Sequence, residues 1–280
     1  MKVNILVCVK QVPKEEDLKL DPVTKTLIRS QGTGVISEYD KYAMELAARL
    51  KAEDGGKVTA VTMGPQSSME VLRYCIAVGA DDVYLLSDRA LGGADAYATV
   101  NALAAAKVYL EAGGTKYDLV LCGKQASDSD TSLVMPELAE CLGLPQVTFV
   151  SGYELSEGKL IVQRETDEGT DHIELPLPAV ASVDKTVFEA RRPNMRLKLK
   201  ANHMEIPVLD AQALGLEAEE IGVKGSKTTV GSSYFPEHNK SCVMIGGESS
   251  EEIAGNLLSA LQSARRASWS TPNGSTRSTL

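Results

Sequence analysis

Asp118-Leu119-Val120-Leu121-Cys122-Gly123-Lys124-Gln125-Ala126-Ser127-Asp128-Ser129-Asp130-Thr131-Ser132 decides the fold. The stretch 118–122 is an apolar run led by an acid, as in a strand buried on both faces. The run stops at Gly123 and small polar residues take over. A helix is predicted from about Thr131 to Cys141. A buried strand that passes into a helix through a polar, glycine-led loop is half of a βαβ unit.

The same half-unit recurs upstream. Residues 3–9 (VNILVCV), 58–62 (VTAVT) and 82–86 (DVYLL) are three more apolar runs. Ser37-Glu38-Tyr39-Asp40 reads as a variant capping box, with Asp in place of Glu, opening a helix to about residue 51. Ala43, Met44, Leu46, Ala47 and Leu50 give that helix an apolar face. Ser67-Ser68-Met69-Glu70 reads as a second box, for a helix ending near Gly79. An Ala-rich helix spans 94–112 and is closed by Gly113-Gly114. The expected fold is α/β: a doubly wound, mainly parallel sheet in three layers, Rossmann-like. In such sheets ligands lie beyond the carboxyl ends of the strands. That rule selects the loops after residues 9, 63 and 122.

The pattern changes after residue 150. Segments 152–156, 159–165 and 171–175 read as short strands, with turns at Glu157-Gly158 and Glu168-Gly169. Pro176 and Pro178 lead into another strand at 179–182. An antiparallel annex is expected, completing a domain over 1–184. Segment 185–205 is basic, with Arg191, Arg192, Arg196, Lys198 and Lys200. Residues 206–266 have weak periodicity until a final helix at about 249–264. So long an aperiodic stretch rarely belongs to a compact domain. It reads either as an extended arm that wraps a partner chain or as a flexible tail. Residues 267–280, low in complexity, read as an appended tail without a functional role.

Bulk properties narrow the function. The 280 residues are 43% hydrophobic and 24% charged, with a formal net charge of −9. A nucleic-acid surface needs concentrated Lys and Arg and is excluded. No apolar run approaches the roughly 18 residues of a membrane span. The first residues enter a strand directly, so a cytoplasmic location is expected. Cys8, Cys75, Cys122, Cys141 and Cys242 form no CxxC pair, and His172, His203 and His238 are scattered. No metal site is expected, and classical acid–base or nucleophilic catalysis has little support.

The candidate binding residues follow from the selected loops. Gly123, Lys124, Gln125, Ala126, Ser127, Asp128, Ser129, Asp130, Thr131 and Ser132 lack the GxGxxG and GxxxxGK spacings. Small residues followed by a helix still present N–H groups to an anion, and Ser and Thr hydroxyls donate to phosphate. A polar helix cap is the competing reading. Backbone at Cys8 and Val9 is placed to meet an adenine edge, beside Lys10. Met63 and Gly64 form the third loop. Asp95 and Thr99 share a face at a helix start, where Asp95 also suits an N-terminal cap.

These loops together resemble the beta subunit of electron-transfer flavoproteins. The resemblance is carried by Ile5-Leu6-Val7-Cys8-Val9-Lys10-Gln11-Val12-Pro13, Val61-Thr62-Met63-Gly64-Pro65, Ala77-Val78-Gly79-Ala80-Asp81 and, most diagnostically, residues 119–130. Leu144-Pro145-Gln146-Val147-Thr148-Phe149, Val162 to Gly169 and Leu177-Pro178-Ala179-Val180 extend it. Asp171 and Ala181 depart slightly from the family signature. It implies a heterodimer whose alpha subunit holds an FAD and serves acyl-CoA dehydrogenase-type partners. It also implies an adenine nucleotide at the loops named above, with Ser37 among its contacts. The nucleotide is either AMP or, in the flavin-bifurcating branch, a second FAD reduced by NAD(H), with ferredoxin or flavodoxin as low-potential acceptor. Leu20-Asp21-Pro22-Val23-Thr24 and Gly92 to Thr99 look like that branch. Ser37-Glu38-Tyr39-Asp40 departs from its Asn-Pro-Asp-Asp form. The resemblance further implies a protruding recognition loop at Arg192-Pro193-Asn194-Met195-Arg196, with Met195 as its anchor. Glu165 is implied to pair with an Arg of the mobile flavin domain.

Overall fold

The structure is a computed structural model that describes residues 2–14, 19–20, 27–28, 34–156, 159–185, 188–231 and 242–270. Two compact units are distinguished, Met1–Ser233 and Tyr234–Leu280. In chain order the first unit contains β1 (Ile5–Cys8), β2 (Gln11–Val12), β3 (Lys19–Leu20), β4 (Leu27–Ile28), β5 (Val35–Ile36) and α1 (Glu38–Asp54). It continues through β6 (Val58–Met63), α2 (Met69–Val78), β7 (Asp82–Leu86), α3 (Ala96–Ala112), β8 (Leu119–Gly123) and α4 (Val134–Leu142). It ends with β9 (Gln146–Ser156), β10 (Lys159–Thr166), β11 (Gly169–Leu175), β12 (Ala179–Val183), α5 (Met195–His203), β13 (Val208–Leu209) and α6 (Gly222–Gly225).

Nine strands form one sheet, in the order β11-β10-β9-β12-β8-β1-β6-β7-β13. From β9 through β12 to β13 every neighbouring pair is parallel. Only β9-β10 and β10-β11 are antiparallel. The expected doubly wound sheet is therefore present, and the annex extends it directly instead of standing apart.

Alternation along the strands builds the layers. Ile5 and Val7 pack with Leu119, Leu121 and the α1 residues Met44, Leu46 and Leu50, together with Leu72 and Ile76 of α2. Leu6 and Cys8 face the other way, towards Leu103 and Leu110 of α3 and Met135 and Leu138 of α4. Successive side chains of a strand point to opposite faces, so each central strand must be apolar throughout. A fully buried Leu such as Leu121 contributes on the order of 2 kcal/mol relative to exposure. α4 stops at Gly143, whose φ of 62° is a left-handed conformation that costs a Cβ-free residue least.

Both predicted capping boxes are corrected. Ser37 precedes α1 but makes no side-chain cap, and Asp40 turns inward instead of back to the cap. Ser67 and Ser68 fall in a short 3-10 turn and bond to Gln11 instead. The predicted helix at Thr131 starts three residues later, because Asp130 and Ser132 take positive φ values of 54° and 56°.

Residues 206–231, expected to begin an arm, are anchored to the core at several points, while 227–231 are exposed. β13 pairs with β7 at the sheet edge, and Ile206, Leu209, Ala211, Leu214 and Ile221 are buried. Periodicity is weak there because the segment is a two-residue strand followed by turns. Of the expected recognition loop at 192–196, residues 192–194 precede α5 without regular structure and Met195 begins the helix, where Asn194 accepts N–H bonds from Arg196 and Leu197. Residues 21–24, the turn at 157–158, 232–241 and 271–280 lie outside the described residues.

The second unit contains α7 (Ser250–Ser270). Ser249 accepts the Glu252 N–H at 3.2 Å, the serine arm of a capping box. Ile253, Leu257, Leu258 and Leu261 form an exposed apolar stripe at helical spacing. Among the described residues no helix is long and apolar enough to cross a membrane, and no group of three or more His, Cys, Asp or Glu residues is arranged to hold a metal.

Candidate functional site

β1 and β8 end side by side at the centre of the sheet, with Cys8 opposite Cys122. The ladder continues one residue further on the β6 side, where the Val9 N–H donates to Val61 O at 2.9 Å. That donor is thus taken by the sheet. Both thiols are buried. The Cys8 contact and burial push Cys122 well up, so it stays a neutral packing group.

Beyond the strand ends the chain is joined by side chains. The Lys10 N–H donates to Asp40 Oδ2 at 2.7 Å, and the Gly123 N–H donates to Asp40 Oδ1 at 3.0 Å. One carboxylate on the first turn of α1 therefore bonds both loops. A Cβ added to Gly123 would lie 2.3 Å from Asp40 Oδ1, so only glycine permits the approach. Ser37 adds a second tie. Its N–H donates to Lys10 O at 3.0 Å, and its hydroxyl donates to Gln125 O at 3.3 Å.

The Lys10 ammonium lies 2.6 Å from Asp128, whose side chain is 3% exposed. The charge of Asp128 is thereby compensated before it can repel an anion. Within the loop, Gln125 donates to Asp130 and accepts from Ser132 Oγ at 2.9 Å. The Ser129 and Asp130 N–H groups close a turn on Ala126 O. Among the described residues the N–H groups of Gln125, Ala126 and Ser127 have no protein acceptor. Ser127, Ser129 and Thr131 are exposed. Lys124 points to the far side of the loop. Its ammonium donates to Asp184 at 2.7 Å and lies over the rings of Phe149 (4.8 Å) and Tyr39 (5.9 Å).

The third loop joins through Gln11. Ser68 Oγ and Ser67 Oγ donate to Gln11 Oε1 at 2.9 and 3.2 Å. The Gly64 N–H donates to Leu86 O at 3.0 Å, which fixes the turn after Met63. All three selected loops are thus linked at one edge. Free N–H groups, exposed hydroxyls and a compensated acid suit the phosphate and ribose of a nucleotide.

Asp95 and Thr99 belong to a different network. The Asp95 carboxylate accepts from the N–H groups of Ala98, Lys227 and Thr228 and from Thr228 Oγ1, at 2.8–3.0 Å. Burial alone would raise this acid, but those bonds outweigh it and hold Asp95 below the usual carboxylate range. Thr99 follows one turn later, its N–H bonded to Asp95 O. Glu165 is exposed on β10 opposite Thr170. Met195 opens α5 and is 70% exposed.

Sequence reasoning missed Asp40, because Ser-x-x-Asp has the form of a cap. Its position as the last acid of the family's Asn-Pro-Asp-Asp stretch was the available signal. Burial pushes its carboxyl from 3.8 up to about 7, against the two N–H bonds and the Lys10 ammonium.

The electron transfer flavoprotein domain matches residues 24–214. The electron transfer flavoprotein subunit beta of Thermoanaerobacterium thermosaccharolyticum is 41% identical over 261 residues, covering 93% of this chain and 98% of that one. The caffeyl-CoA reductase-Etf complex subunit CarD of Acetobacterium woodii is 38% identical, covering 92% and 98%. The acryloyl-CoA reductase electron transfer subunit gamma of Anaerotignum propionicum is 37% identical, covering 89% and 95%. On the strength of these matches and of the sheet edge that carries its motifs, the chain belongs to the electron transfer flavoprotein family, among its beta subunits.

Proposed function

We propose that this chain binds an FAD at the edge formed by Lys10, Ser37, Gly64 and Gly123–Ser132, and that it carries electrons in a heterodimer with a flavin-holding alpha subunit. In this reading NADH is the donor. An acyl-CoA dehydrogenase-type oxidoreductase takes one electron stream, and a ferredoxin or flavodoxin takes the other. The complex works in the cytoplasm. A bound flavin supplies the exchange between hydride and single-electron transfer. The residues of this chain bind and orient it: free N–H groups at 125–127 face phosphate, and the hydroxyls of Ser127, Ser129 and Thr131 donate around it. The observation that carries the reading is the joining of three separate βα loops through Asp40 and Gln11. Relatives named for CoA-reductase complexes support the choice of partner. The exposed stripe of α7 suits the alpha subunit, and Met195 suits docking of the dehydrogenase.

The second reading has AMP as a structural ligand at the same edge. It is favoured by Asp95, whose carboxylate is already filled by Lys227 and Thr228 and so leaves no free acid for a second flavin. Flavin content separates the two. Co-purification with the alpha subunit and excess FAD is expected to yield two flavins per heterodimer. One flavin with releasable AMP would overturn the bifurcating reading.

A further inference from the structure

Asp40 is an expensive residue for its place. Its side chain is buried, with the residue 6% exposed, and its two oxygens are engaged by backbone N–H groups of two different loops. Among the described residues three ionisable groups face it: Lys10 from the loop after β1, Cys122 from β8 and Cys75 from α2. The Cys8 contact together with burial raises Cys122, and burial raises Cys75, so both thiols are neutral near pH 7. The ammonium of Lys10 is the one charge among them, and it is shared with Asp128. An uncharged side chain at position 40 would avoid the desolvation of a carboxylate.

We propose that Asp40 is the positioning residue of the nucleotide edge: its ionised carboxylate holds the Lys10 and Gly123 backbones at the spacing that the bound nucleotide requires. The assignment rests on the nucleotide reading above. It follows from the two N–H bonds that the carboxylate accepts. The carboxylate anion accepts both N–H groups without competition. The neutral acid carries a proton on one oxygen, and that oxygen then faces an N–H donor. That oxygen becomes the weaker acceptor, and the loop it holds is released more readily. The Lys10 loop delivers its ammonium to Asp128, and the Gly123 loop carries the free N–H groups of 125–127, so a shift at either opens the phosphate cradle. Nucleotide affinity is therefore expected to rise as pH increases through about 7, where burial has placed this carboxyl.

The test is AMP binding to the full-length chain in complex with its alpha subunit, followed calorimetrically from acid to alkaline side of neutrality. AMP is the moiety shared by both candidate ligands. Its phosphate titrates in the same range, but equally for every variant, so the ratio of wild-type to Asp40→Asn affinity isolates the carboxylate. Asn copies the shape of the neutral acid. The expected ratio is close to one on the acid side and about tenfold in favour of wild type on the alkaline side. A ratio that stays constant across the range overturns the proposal while leaving the nucleotide reading intact. No AMP or FAD binding by wild type at any pH overturns the reading itself, and this assignment with it. Infrared titration of the wild-type complex supplies a second readout that needs no variant. A buried carboxyl band is expected to disappear near neutrality and to move to lower pH when AMP is added. A band unaffected by AMP also overturns the proposal.

Discussion

Two carboxylates on α1 sit little more than one turn apart with similarly small exposure, yet they behave oppositely. Asp40 is 6% exposed and its carboxyl is pushed up to about 7. Glu45 is 3% exposed and is held below 4.5. Burial raises both. Part of the difference is depth, since Asp40 is fully enclosed and Glu45 is not, and the rest is in the partners. Asp40 accepts two backbone N–H groups. Glu45 accepts Arg191 Nε at 2.6 Å, Arg191 Nη2 at 3.2 Å, the Arg191 N–H at 3.0 Å and Arg49 Nε at 2.6 Å. The two neutral donors of Asp40 only partly offset its desolvation, whereas the guanidinium groups around Glu45 overcome the desolvation there. The two sites do different work in consequence. Glu45 fastens the segment that runs through Arg191 and Asn194 to Met195, and Arg49 also stacks on Phe188 at 4.3 Å. Asp40 aligns the loops at the other end of the comparison, at a cost in stability.

The largest expected effect is the pH dependence of that cost. The folded carboxyl of Asp40 titrates above its unfolded value, so the fold binds the extra proton. Its contribution is full below 3.8 and is lost as pH rises through about 7. The loss is on the order of 4 kcal/mol. Urea unfolding across this window should show the fall in wild type and lose it in Asp40→Asn. An unchanged slope in the variant would break the contrast.

Removing Glu45 should cost about 3 kcal/mol, because Glu45→Ala leaves two guanidinium groups without their acceptor; their partial exposure keeps the figure from being larger. The urea midpoint measures it. The sign with pH is opposite to that of Asp40: the depressed carboxyl of Glu45 contributes above 4.5, and this is lost on acidification through its folded value. Gly123→Ala should cost about 2 kcal/mol, since the added methyl meets Asp40 and one loop must give. Thermal unfolding, with AMP affinity measured alongside, checks that both fall together. Met195→Ala should shift stability by no more than about 0.5 kcal/mol. It should nonetheless slow electron delivery to the dehydrogenase in a coupled assay. A change in stability comparable to that of Glu45→Ala would mean that Met195 is a packing residue of α5.

Much of the fold was legible because its central strands are apolar on both faces. Runs 3–9, 58–62, 82–86 and 118–122 match β1, β6, β7 and β8 to within two residues at each end. α5 was not legible as a helix. Arg196, Lys198 and Lys200 dominate it, and Ala201 is its one buried residue, so no apolar period marks it. β13 is two residues long and had no pattern to read. At the site, the loop after β8 was found from its composition, and Lys10 from its place after β1. Asp40 was hidden because its partners are backbone groups at positions 10 and 123. A sequence records side chains, and these contacts are made to main chain brought near only by the completed sheet.

The margins of the nine-stranded sheet bear on a hazard unrelated to cofactors. An unpaired strand is a template for pairing with any extended chain, including another copy of the same protein. Here β7 is capped by the two residues of β13, too short to offer a ladder of its own. At the opposite margin, β11 bears Asp171 and Glu174, tied to Arg164 and Lys159 of the neighbouring strand. Among the described residues the sheet thus presents no long, uncharged strand margin at which copies of the chain would begin to aggregate.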